Sequence, residues 1–230
     1  MKKKNIRVAI IDNSIDRNIY DPVQHWSRFL DVEWDSFQAK NSDFPQNGAK
    51  DFTHIILTGS EASIMDRPDW VLKEVEFVKQ AVAQKISVLG SCYGHQMIAL
   101  ALKGPKCVRR SFSPEIGWIP IHNLKKDVMF GTQDCLYSFT IHFDEVTGLG
   151  DDFVILAETD LCPVHAFRKK QASVWGIQSH PEINPEEGKR LLKKLYQQGI
   201  GPVSFYKEAL HSAPRDSGII ESVIDTFFKY

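Results

Sequence analysis

Five residues in the middle of the chain, Gly90-Ser91-Cys92-Tyr93-Gly94, set a cysteine between two glycines. They follow the apolar run Ile86-Ser87-Val88-Leu89 and lead into a helical pattern from Met97 to Leu102, which Gly104 stops. A strand that turns sharply into a helix around a nucleophile needs small neighbours, because backbone packs on backbone there. The turn lifts the nucleophile above the carboxyl end of the sheet, where open α/β sheets take their ligands. Cys92 also stands at a helix N-terminus, a setting that favours a thiolate. The expected chemistry is attack on an acyl carbon. A plain strand-to-helix turn with packing glycines would carry the same string, so the reading requires a partner base.

His180 supplies one. It ends the apolar run Val174-Trp175-Gly176-Ile177 and precedes Pro181, which biases it toward extended backbone. Residues two apart in extended chain point to the same side, so Glu182 can lie beside the imidazole and fix its tautomer. Cys92, His180 and Glu182 then form a nucleophile, an acid–base and an orienting group. His95 follows Cys92 by three and points along its helix rather than across a cleft, and His142, ending the run Leu136 to Ile141, is a rival base or a pocket residue. His25, His54, His122, His165 and His211 read as surface or core groups. The developing oxyanion needs donors. The amide of Tyr93 is one, and Gly59, in Thr58-Gly59-Ser60 at the end of another apolar run, can supply the second. Cys107, Cys135 and Cys162 have no comparable setting and are expected to be structural. With no C-x-x-C pair and no paired-histidine spacing, neither a disulfide framework nor a structural zinc site is expected, and no metal or organic cofactor.

The elements that must position these residues alternate. Ile6 to Ile11 and His54 to Leu57 read as buried strands. Asp21-Pro22 caps a helix with Val23, Trp26 and Leu30 on one face, and Val71, Val75, Val78 and Val82 mark an amphipathic helix after Pro68. Continuous apolar strands between helices predict an α/β fold, an open, mostly parallel, flavodoxin-like sheet with helices on both faces. Ile116 to Ile121, Leu136 to Ile141, Phe153 to Glu158, Val164 to Phe167 and Ser173 to Gln178 have little helical signal between them and predict a small antiparallel excursion. Asn184, Pro185 and Glu187 then open a capped helix whose apolar face is Leu191, Leu192 and Leu195. The last 25 or so residues read as one more helix, about 219–229, with Ile219, Val223 and Phe227 inward. The whole of 1–230 is read as one domain.

Composition excludes several classes. The 28 Lys+Arg against 29 Asp+Glu leave a net charge of −1, without the basic excess of a nucleic-acid binder. No apolar run approaches the roughly 20 residues of a membrane span. Met1-Lys2-Lys3-Lys4-Asn5 is basic, but Val8-Ala9-Ile10-Ile11 is too short for a signal peptide's apolar region. The expected location is the cytoplasm.

Gly90-Ser91-Cys92-Tyr93-Gly94-His95-Gln96 resembles the G-x-C-x-G-x-Q motif of class I, triad-type glutamine amidotransferases, and Gly176-Ile177-Gln178-Ser179-His180-Pro181-Glu182 resembles their second motif. The resemblance runs from about Ile6 to about Leu195 and is greatest to the GMP-synthetase-like branch, where Leu57-Thr58-Gly59-Ser60 falls at the oxyanion loop and His142-Phe143-Asp144-Glu145-Val146 at a substrate-pocket segment. It implies hydrolysis of the glutamine side-chain amide to ammonia through a γ-glutamyl thioester on Cys92. Gly59 and Tyr93 would hold the oxyanion, and Gln96, Phe143 and Asp144 the amino-acid end of the substrate. Two departures bear on substrate identity: the loop reads Gly-Ser-Glu rather than Gly-Gly-Pro, and Phe143 stands where that branch has glycine. No synthetase domain follows before Tyr230, so a separate synthetase subunit is the expected partner of an amidotransferase. The alternatives are a free-standing γ-glutamyl peptide hydrolase on the same scaffold and a non-catalytic regulatory or binding subunit.

Overall fold

The apolar runs become the central strands of one sheet in the computed structural model, which describes residues 6–125, 127–201 and 203–230. The basic start at residues 1–5 lies outside them. Strands β1 (Arg7–Asp12), β2 (Glu33–Gln38), β3 (His54–Leu57) and β4 (Ser87–Ser91) are parallel to one another. Beyond them β5 (Val108–Asn123), β6 (Cys135–Val146), β7 (Phe153–Glu158) and β8 (Ala166–Lys169) run antiparallel, and β9 (Val174–Ile177) returns parallel beside β4. The order β2-β1-β3-β4-β9-β8-β7-β5-β6 makes nine strands of one sheet. The antiparallel excursion therefore extends the parallel sheet instead of forming a sheet of its own, and its β5–β6 hairpin is its longest part.

Alternate residues of the parallel strands face opposite layers. Ala9, Ile11, Ile55, Leu57 and Val88 pack under α2 (Asp69–Ala83) and α3 (Tyr93–Lys103). Val8, Ile10, Ile56 and Leu89 pack with Trp26 of α1 (Pro22–Ser27) and Val223 and Phe227 of α6 (Ile220–Phe227). Both faces are thus covered. A third apolar group joins Trp118 and Phe139 of the hairpin to Leu192 and Leu195 of α4 (Pro185–Gln198) and Tyr206 of α5 (Val203–His211).

The caps form where local chemistry places them. The Asp21 side chain accepts from the Gln24 amide, and Asn184 and Glu187 exchange side-chain-to-backbone bonds at 3.0 and 3.1 Å. The C-terminal helix expected at about 219–229 is α6, whereas the rest of the last 25 or so residues departs from the expectation: α5 is a separate helix, with Pro214 and Gly218 in the coil between the two, since a proline inside a helix removes a hydrogen bond and clashes with the preceding turn. Strand β2 has no apolar signature in the sequence, because EWDSFQ is an edge strand with no buried residue.

Candidate active site

The carboxyl ends of β1, β3, β4 and β9 lie side by side. Register does the rest: Ser91 pairs with Ile177, so the residues just past them, Cys92 and the segment to His180, leave the sheet together. Cys92 has φ 47° and ψ −103°, a positive φ that costs a non-glycine residue about 1–3 kcal/mol. The surroundings hold it there. Its amide donates to Ile177 O at 2.8 Å, and Gln96 donates to Cys92 O at 3.1 Å. The flanking glycines meet each other: a Cβ on Gly90 would stand 2.4 Å from the Gly94 carbonyl, and one on Gly94 would stand 2.1 Å from Leu57 O.

His180 is buried, and its Nδ1 lies 2.8 Å from Glu182 Oε1. That leaves Nε2 for Cys92, which acts on the ring both as a charge and as a hydrogen-bond partner. Burial alone would lower the imidazole's pKa. Glu182 and Cys92 together outweigh it and raise it to about 10, so the ring carries its proton at neutral pH. The sulfur also lies 3.4 Å from Ile141 O, a contact open to the thiol but not to the thiolate.

Sequence reasoning missed a fourth member. The Tyr20 hydroxyl donates to Glu182 Oε1 at 3.1 Å and lies 3.4 Å from His180 Nδ1, with its ring edge-on to the imidazole. Burial and the Glu182 charge hold its pKa well above the ordinary phenol value, so it stays a donor. No local signal marks it, since it simply precedes the cap Asp21. Tyr20→Phe removes one of two donors to Glu182 but leaves the His180 bond. It is expected to lower kcat about three- to tenfold, as steady-state rates of ammonia release would show.

Of the two expected oxyanion donors, one directly follows the cysteine and the other lies beside the His180 ring. Tyr93 opens α3, where first-turn amides have no intrahelical acceptor. Gly59 packs on the His180 ring so closely that a Cβ there would lie 2.5 Å from Cε1. The Gly94 amide donates to Thr58 O at 3.0 Å, tying the β3 end to the α3 turn. The departure at Glu61 acquires a cause: its carboxylate accepts from the amides of Ile15 and Asp16 at 2.8 and 3.1 Å, fastening the loop after Gly59 to the loop after β1.

Of the expected substrate contacts, Gln96, Phe143 and Asp144 all line the cleft with Cys92 and His180. Their chemistry is partly spent on the protein. Gln96 Nε2 donates to Asp144 O at 2.7 Å and to Gln178 at 3.2 Å. Asp144 accepts from Ser63 and the Ile64 amide and pairs with Arg110 at 3.1 Å. Arg110, its side chain 58% exposed, brings a guanidinium to the cleft. Phe143 packs into the apolar group of α4 and α5. His142 lines the wall, yet its nitrogens lie 3.0 Å from Asp144 O and 2.9 Å from Glu115. His95 is enclosed against Phe167, and burial pushes its pKa down to about 3. Among the described residues Glu115, His142 and Cys162 come together as a metal-ligand set would, but the Glu115 oxygens are already bound by His142 and Thr159. Cys107 and Cys162 are buried, and Cys135 is exposed.

Fold and site together define an enzyme in which a cysteine on a strand-to-helix turn faces a His–Glu pair leaving the neighbouring parallel strand. The chain belongs to the class I glutamine amidotransferases: residues 9–198 match the family described as Glutamine amidotransferase class-I, whose members hydrolyse glutamine to ammonia. It is 35% identical over 143 residues to the glutamine-hydrolysing GMP synthase subunit of Methanococcus vannielii, covering 61% of this chain and 70% of that one. It is 32% identical over 159 residues to gamma-glutamyl peptidase 4 of Arabidopsis thaliana, 66% of this chain and 62% of the relative. The fold is shared with a glutamine amidotransferase structure from Thermotoga maritima at a TM-score of 0.75 and 18% identity, over 98% of this chain and 99% of that one. No described helix is long and apolar enough to cross a membrane.

Proposed function

We propose that Cys92, His180 and Glu182 carry out the hydrolysis of the glutamine side-chain amide. The Cys92 thiolate attacks the γ-carbonyl carbon, and the amides of Gly59 and Tyr93 receive the oxyanion. His180 Nε2 gives its proton to the leaving nitrogen, and ammonia departs as the thioester forms. Water then attacks the γ-glutamyl thioester, His180 takes its proton, and glutamate leaves with the thiolate restored. Arg110 meets the substrate's α-carboxylate. The observation that carries this reading is the His180–Glu182 bond beside a cysteine held at positive φ. The GMP synthase relative, itself one subunit of its enzyme, supports a chain whose ammonia passes to a separate synthetase partner. Such a chain is expected to turn over glutamine slowly alone, at least tenfold below about 10 per second.

A second reading has its own observation. Ile141, Phe143, Leu191, Leu195, Ile200 and Tyr206 give the cleft an apolar wall that ammonia as a leaving group does not need. A γ-glutamyl peptide would place its amine-side residue there. One experiment tests both. A panel of glutamine, γ-glutamyl dipeptides and glutathione conjugates is assayed for glutamate release, beside labelling by a glutamine-mimicking electrophile. Glutamine turnover, with label on Cys92 and none on Cys107 or Cys162, supports the first reading, and Cys92→Ala abolishes both signals. Fast cleavage of a γ-glutamyl peptide with glutamine ignored replaces it with the second.

A further inference from the structure

Tyr206 of α5 is 1% exposed and lines the same cleft as Cys92 and His180. Its hydroxyl has no hydrogen-bond partner among the described residues. A phenol oxygen enclosed by protein ordinarily finds one. Here the neighbouring backbone leaves the oxygen bare. Gly201, at φ 77°, lies against it without a side chain: a Cβ there would stand 2.7 Å from the Tyr206 oxygen and 3.6 Å from Phe143 Cζ. Burial pushes the phenol's pKa up to about 12, so the hydroxyl keeps its proton and remains a donor.

The fold puts this donor on the leaving-group side. His180, the acid assigned to the departing nitrogen, is followed by Glu182 and, from Pro185, by α4. Leu191 and Leu195 of α4 line the cleft. Gly199 ends the helix at φ 64°, the Ile200 amide donates to Leu195 O at 3.1 Å, and α5 turns back to pack on α4. That turn brings Ile200 and Tyr206 to the same wall. Gln96, Asp144 and Arg110, assigned to the glutamyl end, come instead from α3, β6 and β5. Among the wall residues Ile141, Phe143, Leu191, Leu195, Ile200 and Tyr206, only Tyr206 carries a polar side-chain atom. Ile200 and Tyr206 lie past residue 198, where the family match ends, so the shared amidotransferase chemistry does not account for them.

We infer that Tyr206 is the specificity-determining residue of the leaving-group side, its hydroxyl donating to a carbonyl oxygen on the amine-side residue of a γ-glutamyl peptide. The inference rests on the second reading above, the peptide hydrolase, and narrows its substrate class. The substrate is a γ-glutamyl bond to an apolar amino acid. Its side chain meets Leu191, Leu195 and Ile200, and its carboxyl or peptide carbonyl meets Tyr206. A γ-glutamyl amine lacking that carbonyl fills the apolar wall but leaves the hydroxyl unpaired, and a site rejects an analogue that strands its buried polar group.

γ-Glutamyl-leucine and γ-glutamyl-isoamylamide differ only in the leucine carboxyl. Both are assayed for glutamate release with the full chain, as wild type and as Tyr206→Phe. Wild type is expected to favour γ-glutamyl-leucine in kcat/KM by about tenfold or more, the worth of a hydrogen bond to a charged group, and Y206F to lose that preference. Treating variant and substrate as a double-mutant cycle cancels any change common to both compounds. Because the hydroxyl bonds to no described group, Y206F should melt no lower than wild type. Equal preference in the two enzymes, or none in wild type, overturns the inference and leaves the peptide reading standing. A Tm several degrees lower in Y206F overturns it too, since the hydroxyl would then be serving the fold. Wild type that cleaves neither compound overturns the peptide reading itself, and the inference with it.

Discussion

His180→Ala lowers kcat for glutamine hydrolysis by at least about a thousandfold, while His142→Ala and His95→Ala cost far less rate. The difference follows from where each ring's nitrogens go. His180 has Nδ1 on Glu182 and Nε2 free for the sulfur and the leaving nitrogen, so its loss removes both the thiolate's counter-ion and the acid that releases ammonia. His142 is bound at both nitrogens by Asp144 O and Glu115, and removing it leaves a buried carboxylate short of a partner. H142A should therefore lose Tm more than rate. A pH profile gives a second reading of His180. Its pKa, raised by Glu182 and Cys92 against burial to about 10, means that kcat should not collapse as pH rises through 6.5, where a free imidazole loses its proton. Loss of rate at that midpoint, or H142A proving the more damaging to kcat, would reassign the acid.

Gly59→Ala is expected to lose about a hundredfold in kcat with a fold that survives. The added methyl would lie 2.5 Å from His180 Cε1 and 3.0 Å from the Tyr20 hydroxyl, closer than atoms can approach. The loop must retreat or the imidazole must turn, and a displacement of about 1 Å at reacting groups costs about 10²-fold. The stability cost should stay near the about 1–3 kcal/mol of ordinary overpacking, because side chains can give way. Gly94→Ala is the contrast. Its methyl would meet Leu57 O at 2.1 Å, backbone against backbone, so that variant should fail at folding. Thermal melts and kcat measured on both variants separate the cases, and a G59A enzyme within threefold of wild type would remove Gly59 from the reacting centre.

Much of the scaffold is legible in the sequence because it obeys local rules. The runs at 54–57 and 153–158 are strands over those same residues, and Asn184, Pro185 and Glu187 form the expected capping box. The glycines around Cys92 announce a close backbone approach, which the Gly90–Gly94 and Gly94–Leu57 contacts explain. Strand β2 is illegible because a polar edge strand buries no side chain and leaves no apolar period. Helix α5 leaves no separate signature in the sequence reading because its apolar face meets the β5–β6 hairpin and α4, a surface that exists only once the sheet is assembled.

The same division runs through the site. Sequence alone determined the nucleophile's turn, the histidine with its acid two residues on, and the alternation of strands and helices, since each depends on backbone conformation over a few neighbouring residues. Tertiary structure alone decided that Tyr20 meets Glu182 across 162 residues, that Asp144 is engaged by Ser63 and Arg110 before any substrate arrives, and that Glu61 fastens two loops. These meetings depend on strand order and register. The β4–β9 pairing sets the cysteine's turn beside the histidine's segment, and the β5–β6 hairpin brings Ile141 to Asp144 over both. No residue's type carries that information by itself. It arises when the parallel strands align their carboxyl ends, because alignment gives distant loops a common edge on which to pack.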